Sequence, residues 1–286
     1  MPWYFWALLS VFALAGAELS QKISMTQKVN ISAITNNFFV WIAQGLGGLT
    51  LAFFFGEIVL MIGAENWLKL GVLAFAYFLG GTFFYTSYKS NSPSISIILG
   101  SVSIIISTLL GIIFFDESTS IAKFAAILLI LTSIVWINYK KTKIDKYNLF
   151  AFLGGICFGF AYTLDKSFAI DMNPLLYVAY MSTSVGVLSL ILKPNHIYKD
   201  ARRMSVSNFY SIIFAAFFGT LFNAFTFLAY SRGGSVGAVD AMNNSSIFLI
   251  ILLEIIILKD RSNLKKKVIA SAVVVLGVVL LALYSH

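Results

Sequence analysis

Apolar residues along this chain come in long unbroken blocks separated by short polar stretches. Ten blocks can be drawn: Trp3–Ser20, Ser32–Ile62, Leu68–Ser87, Ser94–Phe115, Ile121–Tyr139, Asn148–Ile170, Pro174–Leu192, Phe209–Tyr230, Ser235–Leu258 and Val268–Tyr284. Most approach the roughly 20 residues that carry an α-helix, rising about 1.5 Å per residue, through a hydrocarbon layer about 30 Å thick. The second is too long for a perpendicular crossing, so it is tilted or leaves the lipid near Gly56-Glu57. The two-residue alternation of a membrane barrel is missing. The pattern predicts an all-α, polytopic membrane protein with ten transmembrane helices and no room for a soluble domain between them.

Composition sharpens this reading. The chain is 59% hydrophobic and 11% charged, with a mean hydropathy of +0.88, whereas soluble domains carry about 25% charged residues. Too little polar material is present to coat a globule, which excludes a soluble enzyme, a disordered protein and a secreted disulfide scaffold. The single cysteine, Cys157, lies in an apolar run and cannot form an internal bridge. Ala13-Leu14-Ala15 resembles a signal-peptide cleavage site, but Met1-Pro2-Trp3-Tyr4-Phe5-Trp6 lacks a basic leader. The first block is therefore read as a retained membrane helix.

The net charge of +8 is unevenly spread. With ten crossings, the loops after odd-numbered helices share one side and hold 16 of the 20 lysines and arginines; Lys69, Lys123, Lys166 and Arg232 alone fall on the other. By the positive-inside rule the basic loops are cytoplasmic, in a plasma or inner membrane, with both termini outside. The lysines then answer to topology and anionic lipid, and no nucleic-acid partner is expected.

Shifting the sequence by 143 or 144 residues superposes its halves. Gln21-Lys22 falls on Asp165-Lys166, Ser10 and Ala17 fall on Gly154 and Ala161, Ser101-Val102-Ser103 falls on Asn244-Ser245-Ser246, and Asp116-Glu117 falls on Lys259-Asp260. This divides the chain into a first five-helix repeat (1–139), a basic cytoplasmic linker (140–147) and a second five-helix repeat (148–286). Five is odd, so the second repeat enters the membrane from the opposite side. Inverted repeats of this kind suit a secondary transporter whose halves rock to open a central site to each side in turn.

Ionisable groups at membrane depth are costly and are functional candidates by default. Asp240 lies early in the ninth helix, with Asn243 and Asn244 three and four residues on, so the three share a face. They can hold the polar end of a solute or a coupling proton or cation, or they can simply lock helices together. Ser101 and Ser103 occupy the symmetry-related place in the fourth helix, as solute contacts or as packing serines. Asn223, Gln44, Asn36 and Asn37 are uncharged candidates. Glu18 with Lys22, and Asp165 with Lys166, form either interfacial ion pairs or gates at the cavity mouths. Glu254 continues the face of Asp240, and Asp116-Glu117 are placed to begin the fifth helix, where acids favour the positive end of the dipole. Tyr85, Tyr162 and Tyr230 suit a cavity wall or an interfacial belt. Gly155-x-x-x-Gly159 and Gly233-x-x-x-Gly237 suit close packing.

Ten short-looped helices in two halves resemble the drug/metabolite transporter superfamily, in particular its EamA-type members. The local match is Ser94-Ile95-Ser96-Ile97-Ile98 through Gly111-Ile112-Ile113-Phe114-Phe115-Asp116-Glu117-Ser118-Thr119-Ser120. It resembles an aliphatic run closing in Gly-Glu with a hydroxyl three residues on; Glu117 matches the glutamate and Ser120 the hydroxyl. The ninth helix repeats this loosely with Asp260 and Asn263. Asp116 and Lys259 stand where the family has glycine, and Ile104 and Ile247 stand near a frequent mid-helix proline, so no kink is required there. The family is more often drawn with both termini in the cytoplasm, whereas the lysines here argue the reverse. The resemblance implies export.

No His-Glu-x-x-His, Gly-x-Ser-x-Gly or cysteine cluster is present, and the two histidines are His196 and His286, so neither catalytic nor metal-binding residues are expected. No Walker motif and no filter loop can be read. The expected function is a secondary transporter, and by the resemblance an exporter, of a small organic metabolite such as an amino acid, acting as monomer or homodimer without a cofactor. The alternatives are an ion-coupled exporter of lipophilic compounds, or a non-transporting bundle or channel.

Overall fold

The computed structural model describes residues 1–56, 58, 63–117, 120–138 and 145–283. Glu57, the Ser118-Thr119 part of the fourth-helix motif and the lysines at 140, 141 and 143 of the predicted linker lie outside them. The helices are α1 (Trp3–Met25), α2 (Ala33–Phe55), α3 (Ala64–Ser87), α4 (Pro93–Gly100), α5 (Val102–Phe115), α6 (Ile121–Asn138), α7 (Lys146–Asp171), α8 (Pro174–Leu192), α9 (Pro194–Ala201), α10 (Val206–Ser231), α11 (Val236–Asn244), α12 (Ile247–Leu253) and α13 (Leu264–Leu283). A π-helical turn, Glu254–Leu258, extends α12. Taking α4 with α5, and α11 with α12 and its π turn, as single crossings, eight helices among the described residues are long and apolar enough to span a membrane. The shorter apolar α6 and the terminal α13 stand at the fifth and tenth places. The long second block resolves by ending α2 at Phe55, with Gly56 as its cap.

Packing obeys a two-fold exchange of the halves. The main helix pairs are α1 with α10, α3 with α7, α2 with α8 and α6 with α13. Exchanging the halves turns the first pair into the second and leaves the other two as they are, the signature of an isologous arrangement. The surface is inside out relative to a soluble protein: Phe53, Phe54, Phe55, Phe114 and Ile121 are exposed, while Asp165, Asp240, Glu254 and Lys267 are at most 1% exposed.

Both central helices break in the same place. Pro93 and Val236 begin α4 and α11, Phe115 and Leu258 end the two crossings, and each pair is 143 residues apart. At the breaks the backbone tightens to three-residue turns: the Ile104 amide donates to Ser101 O at 3.0 Å, and the Ser246 amide to Asn243 O at 3.1 Å. Serine hydroxyls bend these helices, Ser101 donating to Ile97 O at 2.9 Å and Ser245 to Met242 O at 2.7 Å. So the helices are interrupted although no proline stands at either break. Each crossing ends on a residue in the left-handed region, Asp116 (φ 50) and Lys259 (φ 55), where the family glycine would carry less strain.

The two glycine spacings differ in role. Gly155 lies so close to the α4–α5 break that a Cβ there would sit 2.5 Å from Gly100 O, and Gly159 similarly abuts Ser103 O. Gly233, expected to pack, instead has φ +90 and open space around it; it terminates α10. The sequence also hid α9 within a basic loop. Its Asp200 carboxylate accepts the Ser32 amide at 2.8 Å and the Thr35 hydroxyl at 2.7 Å, anchoring the start of α2. Partial burial pulls this carboxyl upward, but those donors outweigh it and hold it below the usual carboxylate range.

Candidate functional site

Helical spacing brings polar and aromatic side chains from both halves to one place. Leu14, Ala17, Glu18 and Gln21 share a face of α1, Trp41 and Gln44 a face of α2, and Phe158 and Tyr162 a face of α7. With Tyr77, Phe84 and Tyr85 of α3 and Phe222 and Asn223 of α10 they enclose a cavity of about 50 Å³. A second, of about 40 Å³, shares Leu14, Glu18, Phe84, Phe158 and Tyr162 and reaches Ser103, Asp240, Asn243 and Asn244. A water needs roughly 10–15 Å³ on this measure, so each space holds only a few waters. The hollow between the halves is small, and its largely apolar, aromatic wall carries a few polar groups.

Glu18 sits between the two spaces. Its Oε2 is buried and has no hydrogen-bond partner among the described residues. The expected pairing with Lys22 does not form: the Lys22 ammonium donates to the carbonyls of Tyr88 at 2.6 Å and Asn91 at 2.9 Å. Aromatic rings frame the carboxylate, with Phe158 and Tyr162 stacked at 5.9 Å, Trp41 and Tyr77 at 5.1 Å, and Tyr77 and Phe158 at 6.0 Å. Asn223 Nδ2 donates to Gln44 Oε1 at 2.9 Å, joining α10 to α2 at the cavity wall. A carboxyl group with no cation paired to it among the described residues, in a cavity lined by aromatic side chains, suits a positively charged group.

Asp240, Asn243 and Asn244 come together with the serines of the other half, and their bonds run from helix to helix. Asp240 accepts from Ser107 at 2.9 Å, Ser103 at 3.3 Å and Asn244 Nδ2 at 3.0 Å. Asn244 Oδ1 accepts from Ser101 at 3.2 Å. Asn243 accepts from Ser10 in a short bond and donates to Thr226 at 3.3 Å. The cluster thus joins α11 to α1, α5 and α10 and still touches the smaller cavity. Ser107 escaped sequence reading, although it lies one turn beyond Ser103 on the same face.

Asp165 and Lys166 separate. Asp165 is fully buried and accepts the hydroxyls of Tyr177, at 2.6 Å, and Tyr77, in a short bond. Lys166 turns the other way, pairing with Glu117 at 2.9 Å above the Phe115 ring. Glu117 was expected to begin the fifth helix; it instead accepts the Val236 amide at 2.8 Å and caps α11 of the other half. At the opposite end of the same crossings, Glu254 accepts the Ser94 amide at 2.5 Å and its hydroxyl at 2.8 Å, and pairs with Lys267 at 2.9 Å. Lys267 also reaches Asp260 at 3.1 Å. Each seam between the halves is therefore closed by a carboxylate that holds the start of the other half's broken helix and a lysine of the second half. Neither Glu117 nor Glu254 carries a sequence signal for this role, because the amides they hold lie 119 and 160 residues away along the chain. Among the described residues no group of three His, Cys, Asp or Glu side chains is placed to hold a metal.

Comparison with known proteins completes the description. The model of the EamA-like transporter family matches residues 1–139 and again 145–283, one match in each half. A solved crystal structure superposes with a TM-score of 0.73 at 15% identity, covering 98% of this chain and 96% of that one, which shows a shared fold. No curated protein matches the sequence.

Proposed function

The chain belongs to the EamA-like transporter family, and we propose that within it the protein is a secondary exporter of a small organic metabolite carrying an amino group, such as an amino acid. The observation that carries this reading is Glu18, whose carboxyl group lines the small hollow between the halves with one oxygen buried and unpaired among the described residues. A buried carboxyl oxygen without a partner is unfavourable, and an ammonium entering the hollow would relieve that cost. The Gln44–Asn223 amide pair and the Asp240 cluster offer further polar contacts on either side. The cavities are too small for such a solute as they stand, so loading requires one seam to open. Opening the Glu117 seam exposes the hollow to one side, and opening the Glu254 seam exposes it to the other, which is alternating access in a two-fold bundle.

Flux of a panel of labelled amino acids and amines, measured in proteoliposomes holding the purified protein, tests this. Asp240→Asn is expected to abolish or uncouple that flux while expression and unfolding temperature stay near wild type. Full transport by this variant for every solute carried would reduce the cluster to helix packing.

The proposed membrane is the cytoplasmic (plasma or inner) one, with basic loops inside. In a background lacking Cys157, a cysteine at Arg232 is expected to react with an impermeant thiol reagent added to intact cells, and one at Arg203 to remain unlabelled. The reverse labelling would invert the orientation.

A further inference from the structure

We propose that Asp165 is a proton-binding site that exchanges its proton with the central cavity through the hydroxyl of Tyr77. Asp165 is 0% exposed. Its two oxygens each accept one phenolic O–H, Oδ1 from Tyr177 on α8 and Oδ2 from Tyr77 on α3. The one lysine adjacent in sequence, Lys166, is committed to Glu117. The other titratable groups facing it are neutral phenols or further acids. Tyr230 of α10 and Tyr162 of its own helix lie within electrostatic reach, and the carboxyls of Glu18 on α1 and Asp240 on α11 lie beyond Tyr162. Among the described residues no cation is placed to balance a charge at Asp165.

A carboxylate in such a place has two donors to sustain its charge and nothing to neutralise it. Gaining a proton removes the buried charge, and losing it restores two charge-assisted bonds, so both states have a structural basis. Tyr77 supplies the route. It lines the larger cavity together with Glu18 while its hydroxyl bonds to Asp165. On loading, a hydronium in the cavity gives a proton to the Tyr77 oxygen as the phenolic proton of Tyr77 moves to Asp165 Oδ2. The phenol ends neutral, a water is left in the cavity, and the carboxylate has become a carboxylic acid. Unloading runs the same transfers backwards. Tyr177 is not among the residues lining that cavity and only steadies the charged form. Using the proton to drive a solute rests on the transport function proposed above; proton binding does not.

The test is an infrared titration of the full-length protein in lipid nanodiscs between about pH 5 and pH 9, following the carbonyl stretch of protonated carboxyl groups. Wild type is expected to show an acid band that grows as the pH falls and is missing from Asp165→Asn. Tyr177→Phe and Tyr77→Phe retain the carboxyl but each remove one donor to its charged form, and Tyr77→Phe alone should also slow the growth of the acid band after a pH jump, because it removes the route. Each should move the midpoint up by about one to two pH units, the size of one charge-assisted hydrogen bond. These variants keep the test sharp even if Asp165→Asn fails to fold. A contribution from Asp165 that stays constant across the range, or a midpoint unmoved by either phenylalanine, would overturn the proposal and leave Asp165 as a lock between α3, α7 and α8. No solute is needed, so failure here is distinguishable from failure of the transport reading, which is judged by flux.

Discussion

Glu18→Gln is expected to weaken solute binding by about 10- to 100-fold, the range that loss of one charge-assisted hydrogen bond of about 1.5–3 kcal/mol produces. The replacement keeps the shape of the side chain and the volume of both cavities. It also exchanges an acid whose buried Oε2 has no partner among the described residues for a neutral amide, so the unfolding temperature should stay level or rise. That combination, weaker binding in a protein at least as stable, separates a solute ligand from a structural carboxylate. Binding isotherms and thermal unfolding on the same preparation check it; retained affinity with a lower unfolding temperature would reverse the assignment.

Lys267→Ala should be the most destabilising single truncation at either seam. Lys267 and Glu254 are each about 1% exposed and 2.9 Å apart, and Lys267 also serves Asp260. Removing the lysine leaves a buried carboxylate with only the two donors of Ser94. Breaking a buried pair from one side costs about 3–5 kcal/mol, whereas removing both charges is often close to neutral. The double variant Glu254→Gln/Lys267→Met is therefore expected to recover most of the loss. Denaturant unfolding in detergent, followed by intrinsic fluorescence, reads both effects. A loss below about 1 kcal/mol for Lys267→Ala would place the pair in water, in the range of exposed ion pairs.

The polar positions show where sequence reasoning reached and where it stopped. Asp240, Asn243 and Asn244 are adjacent on one helical face because spacing alone requires it, and a charge at that depth marks itself. The 143-residue offset likewise placed Ser101 opposite Asn244, where the structure has them bonded. The pairings of Glu18 with Lys22 and of Asp165 with Lys166 followed the same local logic and do not occur. Neighbours in sequence compete with groups from other helices, and the unpaired carbonyls of Tyr88 and Asn91 and the carboxylate of Glu117 take the two lysines. The breaks in the central helices were not legible from proline, because serine hydroxyls bonding back to the previous turn bend them instead.

The long apolar blocks, the odd number of helices in each half and the internal offset determined by themselves that this chain is a helical membrane protein of inverted halves. Those features follow from the bilayer, which demands helices of one length satisfied within themselves. Which carboxylate is left without a partner was decided only in three dimensions. Glu18, Asp165, Glu117 and Glu254 are alike as residues, yet one faces a hollow, one is held by two phenols and two cap the helices of the opposite half. Lipid offers no water to satisfy them, so the burial and partners supplied by packing of distant helices set what each can do.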